Sequence, residues 1–245
     1  MHAEEKDKIW TYPRIYVDQP LKEETTINLT PAHAHYFKNV LRRQDGNFIR
    51  LFNGTDGEWI ATLEGLTKKS GNAALRSQSR PQPETPTKTA LYFAPIKKSR
   101  MDLLIEKAVE LGVTDLIPTL TARTENRKFK SERIESQILE AAEQCERLDI
   151  PTLHNTIAIN ALPKDIVIHA CIERDDSREE SPFIAEIKDK DLSFLVGPEG
   201  GFTDQEIQAL HQKSNIKPIS LGDRIYRAET ASIVCLTHAA FLNQK

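Results

Sequence analysis

A small β-barrel followed by an α/β domain with a mainly parallel sheet is the fold class this sequence predicts. Three observations carry it. Up to residue 76 the apolar residues fall in short runs separated by turn chemistry. Beyond residue 88, short apolar runs alternate with longer helical patterns, as β-α units do. Between these halves lies Ser77-Gln-Ser-Arg-Pro-Gln-Pro-Glu-Thr-Pro-Thr87, polar, aperiodic and with three prolines, which reads as a linker. The predicted domains are therefore 1–76 and 89–245, joined by 77–88.

In the first half, Thr30-Pro31 opens a predicted helix over 31–41, with proline at the first helical position where its missing N–H costs nothing. Runs 48–52 and 58–63 read as strands, and Asn53-Gly-Thr-Asp-Gly57 as the hairpin turn between them. In the second half, 89–94 reads as a strand. Ser99 with Asp102 reads as the capping pair of a helix whose apolar face is Met101, Leu104, Ile105, Ala108 and Leu111, ending at Gly112. A strand over 116–120 and a helix over 131–147 follow, then strands over 166–172 and 193–196. Thr203 and Glu206 form a second capping box, with Phe202 and Ile207 as a hydrophobic staple. The last strand is predicted over 218–221 and the last helix over 229–242.

The composition is that of a soluble globular protein, 39% hydrophobic and 28% charged. No apolar run approaches the roughly 20 residues a membrane span needs, and the first ten residues are too charged for a secretory signal. Cys145, Cys171 and Cys235 lack paired spacing, so buried free thiols in a reducing cytoplasm are expected, with neither disulfide nor zinc. His33 and His35 have no ligand partners nearby, so no metal is expected. Net charge is −3, but the distribution is uneven. Residues 88–133 carry ten Lys/Arg against six Asp/Glu, 38–50 carry four bases and one acid, and 173–191 carry eight acids and four bases. A polyanion responds to the local field, although solvated surface charge explains the same pattern.

Two glycine-rich corners are the most informative features. They are Ser193-Phe-Leu-Val-Gly-Pro-Glu-Gly-Gly-Phe-Thr203 and Ile219-Ser-Leu-Gly-Asp-Arg-Ile-Tyr-Arg-Ala-Glu-Thr-Ala231. Each follows a buried-strand pattern and leads into a helix, which brings bare backbone close to something. Neither a Walker loop nor a dinucleotide fingerprint is present.

Together with Lys98-Ser-Arg-Met-Asp-Leu-Leu-Ile-Glu-Lys-Ala-Val-Glu-Leu-Gly112, Glu140-Ala-Ala-Glu-Gln-Cys-Glu-Arg147 and Pro151, these corners resemble the SPOUT-class methyltransferases that modify N3 of a uridine in bacterial small-subunit ribosomal RNA. The likeness runs from about Pro13 to the end. It implies a PUA-like RNA-binding barrel, then a trefoil-knotted α/β methyltransferase domain that uses S-adenosylmethionine and no metal. It further implies a homodimer with 16S rRNA or the small ribosomal subunit as partner. By the resemblance, Val196, Gly197, Pro198, Gly200 and Gly201 form one wall of the S-adenosylmethionine site. Leu221, Gly222, Ile225, Tyr226 and Arg227 form the other. Tyr226 and Ala228 depart from the leucine and threonine usual there.

Methylating uridine N3 requires loss of its proton, by a base or with a cation to stabilise the anion. Glu199 and Glu229 are candidate bases; loop fixing and helix capping are their competing roles. Arg227, Arg224 and Arg123 are candidates for anion or phosphate contacts, with Arg227 the expected catalytic cation. Arg14, Arg42, Arg43, Lys98, Arg100 and Arg123 are the expected RNA contacts. A ribose 2′-O-methyltransferase and a non-catalytic assembly factor are the rival functions.

Overall fold

The computed structural model describes residues 9–84, 87–126, 130–172, 182–188 and 191–243. The start of the chain and most of the acidic run 173–191 lie outside them. The chain divides into two compact units, 1–84 with Glu146–Asp149, and the rest.

The first unit is a five-stranded sheet in the order β1-β3-β4-β5-β2. The strands are β1 (Arg14–Tyr16), β2 (Thr26–Asn28), β3 (Phe48–Phe52), β4 (Glu58–Glu64) and β5 (Asn72–Arg80). The Asn53–Gly57 hairpin joins antiparallel β3 and β4, its turn tied by Asn53 Oδ1 accepting from the Thr55 and Asp56 amides. Helix α1 (Pro31–His35) starts where Thr30 Oγ1 accepts from the His33 N–H, then widens into a π-turn over Tyr36–Val40. Strand β5 pairs with both β4 and β2 and runs to Arg80, through the first four residues read as linker. Asn72-Ala-Ala-Leu-Arg-Ser-Gln-Ser-Arg80 has little β-propensity of its own. Its flanking strands hold it extended.

Among the described residues the second unit carries seven strands, with the order β12-β10-β11-β6-β7-β8 and β9 paired to β7. They are β6 (Thr89–Phe93), β7 (Asp115–Leu120), β8 (Thr152–Leu153), β9 (Ile157–Ala158), β10 (Ile168–Cys171), β11 (Leu192–Val196) and β12 (Ile216–Ile219). Every pairing is parallel. Among the described residues four α-helices accompany them: α2 (Lys98–Glu110), α3 (Ser131–Gln144), α4 (Asp204–His211) and α5 (Ala228–Asn243). The predicted apolar face of α2 is buried at Met101, Leu104, Ile105 and Ala108.

Two local expectations fail here. Ser99 does not cap α2: Lys97 holds the cap position without a side-chain bond, and Asp102 pairs with Arg133 of α3. Cys145 is exposed, because α3 ends at Gln144 and Glu146 turns into the left-handed region. Cys171 and Cys235 are buried as expected, their sulfurs 3.4 Å apart.

Candidate active site

The two glycine corners meet because of the strand order. Val196 at the end of β11 is level with Cys171 at the end of β10, and Cys171 is level with Ile219 at the end of β12. Both corners therefore leave the same carboxyl edge of the sheet, with β10 between them. Ligands of open parallel sheets bind outside that edge.

A cavity of about 450 Å³ opens there, within the roughly 300–1,000 Å³ of small-molecule sites. From the first corner, Val196, Gly197, Pro198, Glu199, Gly200 and Gly201 line it; from the second, Ile225, Tyr226 and Arg227 do. Leu221 and Gly222 instead line a small adjoining cavity, whose wall shares Cys171, Ile172, Tyr226 and Ala231 with the large one. Cys171 and Ile172 lack any sequence signal for such a role, and Ala231 stands only at the very end of the second corner. Only the interposition of β10 and the docking of α5 bring them there.

The first corner is held tightly. Thr203 Oγ1 accepts from the Glu206 N–H, and Glu206 Oε2 accepts from the Thr203 N–H, completing the predicted capping box. A Cβ on Gly197 would lie 3.0 Å from the Phe202 ring, so glycine lets the chain fold onto that ring. Gly201 sits at φ +66°, and an added Cβ there would meet nothing within 4 Å. Its glycine is demanded by backbone conformation, not by crowding. Such a cradle of bare backbone beside Val196 and Phe202 suits a ligand with a flat heterocycle and polar edges.

Arg123, expected on RNA, donates from Nη1 to the carbonyls of Gly200 at 2.8 Å and Phe202 at 3.0 Å. It pins the corner, and its stem packs on Gly200. Arg100, also expected on RNA, lines the cavity. Its Nη1 is 4.0 Å from Glu199 Oε1 and its Nε 3.8 Å from Glu229 Oε1. Glu229 is buried in the first turn of α5, its Oε2 without a hydrogen-bond partner among the described residues, and it does not line the cavity. Glu199 accepts at 3.3 Å from the N–H of Lys97, the residue at the cap position of α2. Arg227 is exposed, and no ion pair among the described residues involves it. Lys98 is exposed in the first turn of α2.

The first unit corrects one assignment. Arg14 is buried, not offered to a ligand: its Nε donates to Glu58 Oε2 at 2.8 Å and its Nη2 to the Arg147 carbonyl. Arg42 is exposed at φ +53°, and Arg43 is half-buried. Among the described residues no group of His, Cys, Asp and Glu is placed to hold a metal ion, and no helix is long and apolar enough to cross a membrane.

A glycine-lined cavity at the carboxyl edge of a parallel sheet, in a chain that also carries a separate compact β unit, defines a class of ligand-binding α/β protein. Comparison with known proteins narrows it. A family profile described as an RNA methyltransferase domain matches residues 83–240, and one described as an RNA methyltransferase PUA domain matches 29–74. A Rickettsia conorii protein named ribosomal RNA small subunit methyltransferase E is 36% identical, over 94% of this chain and 96% of its own length. Its Synechocystis namesake is 35% identical over 87% of this chain and 72% of its own. The crystal structure of the Neisseria gonorrhoeae namesake, bound to S-adenosyl methionine, superposes with a TM-score of 0.81 at 28% identity, covering 94% and 98% of the two chains. The chain belongs to the RNA methyltransferase family, in the branch whose members are named ribosomal RNA small subunit methyltransferase E.

Proposed function

We propose that this protein transfers a methyl group from S-adenosylmethionine to N3 of a uridine in small-subunit ribosomal RNA. The observation that carries this reading is the closure of one cavity by both glycine corners, with the side chains of Arg100, Glu199 and Arg227 on its wall. Relatives named for small-subunit rRNA methylation supply the substrate class, and a relative bound to S-adenosyl methionine supplies the donor. The donor brings an electrophilic methyl group on a sulfonium, and Val196, Gly197, Pro198, Gly200 and Gly201 with Ile225, Tyr226 and Arg227 are the residues to hold it. Arg227, on the wall of the donor cavity, is then a cation placed to stabilise negative charge as it develops on the uracil, an interaction strongest in the transition state.

The division of labour follows the two halves of the chain. Residues 1–76 grip RNA, with Arg42 and Arg43 on its phosphates; residues 89–245 perform the chemistry, with Lys98 offered to the substrate. The protein works in the cytoplasm, where ribosomal subunits are assembled, and it works as a homodimer through α2 and α5. Ile233, Val234, Thr237 and Ala240 are only half-buried, while Leu103 of α2 and Phe241 of α5 are exposed, which leaves apolar surface for a second copy. Light scattering at micromolar concentration should give twice the chain mass, and a monomer refutes the dimer. The activity itself is tested by incubating ribosomal RNA or small subunits with protein and isotopically labelled donor, then digesting to nucleosides for mass analysis. Labelled 3-methyluridine is expected. A 2′-O-methylated nucleoside establishes the rival transferase, and no label a non-catalytic assembly factor.

A further inference from the structure

A second cavity, of about 320 Å³, lies beside the first, and Glu199 lines both. Its wall comes from the β6–α2 connection, Pro95, Ile96, Lys97 and Lys98, and from Glu125 and Asn126. We propose that this cavity receives the target uracil, and that Glu199, at the junction, accepts the N3 proton as the methyl group arrives. This deepens the uridine-N3 reading and rests on it.

The chemistry of the wall fits that base. Pro95 and Ile96 are buried apolar surface for a ring face. Lys97 and Lys98 are exposed ammonium donors suited to the uracil carbonyls or the adjoining phosphate. Asn126 is set in the wall by donating from Nδ2 to the Ile96 carbonyl at 3.4 Å. Uracil presents N3–H as a donor, and a carboxylate accepts it. Cytosine presents a lone pair at the same atom, which a carboxylate repels. Glu199 therefore selects for uracil and activates it through one contact.

The rival carboxylates are placed differently. Glu229 lines neither cavity, and Glu125 lines only the second. Glu229 instead sits behind Arg100 and orients it. The Lys97 N–H and Arg100 both engage Glu199 Oε1, which leaves Oε2 for the base. In the transfer, N3 forms a bond to the methyl carbon as the carbon–sulfur bond breaks. Sulfur keeps that electron pair and becomes a neutral thioether, while the N3 proton passes to Glu199. The Glu199 side chain is 31% exposed, so the proton then leaves to solvent.

The test is single-turnover methylation of small ribosomal subunits by the full-length protein from about pH 6 to about pH 10, with calorimetric affinity for S-adenosylmethionine measured in parallel. Wild-type protein must first yield 3-methyluridine; if it does not, the uridine-N3 reading itself fails. Glu199→Gln is expected to slow transfer about 10²-fold or more, to keep donor affinity within about threefold, and to show a residual rate that climbs with pH as solvent takes the proton. A parallel loss of donor affinity and rate, with the wild-type pH profile retained, overturns the base role. Asn126→Phe fills the second cavity without touching the first. It is expected to raise KM for subunits or lower the rate at unchanged donor affinity. Normal methylation by Asn126→Phe overturns the cavity assignment.

Discussion

Arginines do opposite work in the two units. In the first, Arg14, Arg50 and Arg80 converge on Glu58, whose side chain is fully buried. Arg50 also pairs with Glu146, and Arg80 donates to its carbonyl, in the short segment Glu146–Asp149 that belongs to this unit. In the second, Arg100, Arg123 and Arg227 ring a cavity, and only Arg123 spends its guanidinium on backbone. For Arg14 and Arg50, which are buried, the difference is solvation; Arg80 is part-exposed and is held by its partners. A buried guanidinium must satisfy its donors inside the protein and has none to offer. One at a cavity mouth keeps donors for a ligand.

The buried cluster is costly on both sides. Burial pulls the Arg14 guanidinium below its ordinary value even with Glu58 beside it. Burial also pushes the Glu58 carboxyl up, but Arg80, Arg14 and Ser79 outweigh that and hold it below its ordinary 4.5. The two directions disagree about the worth of the pair: desolvation wins for the cation and pairing wins for the anion. The anion has more partners, so removing it strands more charge. Glu58→Ala should therefore give the largest effect of any single change in either group, a loss of about 3–5 kcal/mol in urea-unfolding stability of the first unit. Near-neutral stability would mean that the cluster is dispensable. The same lowered Glu58 value fixes a pH dependence. Its contribution is complete above the unfolded value, near 4.5, and is lost as pH falls through the lower folded value. Unfolding midpoints should drop below about pH 4.5 in the wild type, and Glu58→Gln should flatten that drop.

Arg227→Ala probes the open group. Single-turnover methylation should fall about 10²-fold or more, the scale of losing one oxyanion donor, with a smaller change in donor affinity and no loss of stability. Arg227→Lys should not fully rescue, because a point charge lacks the planar fork. Equal losses in binding and rate would move Arg227 from chemistry to loop support.

Between these extremes lies the pinned corner. Gly201→Val should weaken donor affinity about tenfold, since a β-branched residue at φ +66° costs roughly 1–2 kcal/mol. Gly201→Asn should be milder, because asparagine tolerates that region and a Cβ there meets open space. Equal losses would point to crowding by the bound donor in place of strain.

The smallest effect is expected from Arg42 and Arg43, the first unit's remaining candidates for RNA. Replacing both with alanine should lower RNA affinity and flatten its dependence on log salt by about one to two units, leaving donor affinity intact. An unchanged salt slope would place these arginines away from the phosphates.

What could be read from the sequence follows a physical line between local and non-local determination. Thr30-Pro31 and the Thr203–Glu206 box were legible because a helix start is decided by residues three apart. The Asn53–Gly57 turn, the apolar face of α2 and the two glycine corners were legible for the same reason. Their geometry is set within a few residues of chain. Polar β5 was read partly as linker because its partners, β4 and β2, hold it extended, not its own side chains. Ser99 carried a capping pattern, but Asp102 found Arg133 across a helix pair and Glu199 took the end of α2.

The sequence by itself determined the fold class, the family and the two glycine corners. Only the tertiary structure decided what each charged side chain is for. Arg14 went to a buried carboxylate, Arg123 to loop carbonyls, and Arg100 to the space between Glu199 and Glu229. Arginine is compatible with a phosphate, a carboxylate or a carbonyl alike. The choice is made by which acceptor the fold brings within about 3–4 Å and how much water remains there, and neither quantity is written in the order of the residues.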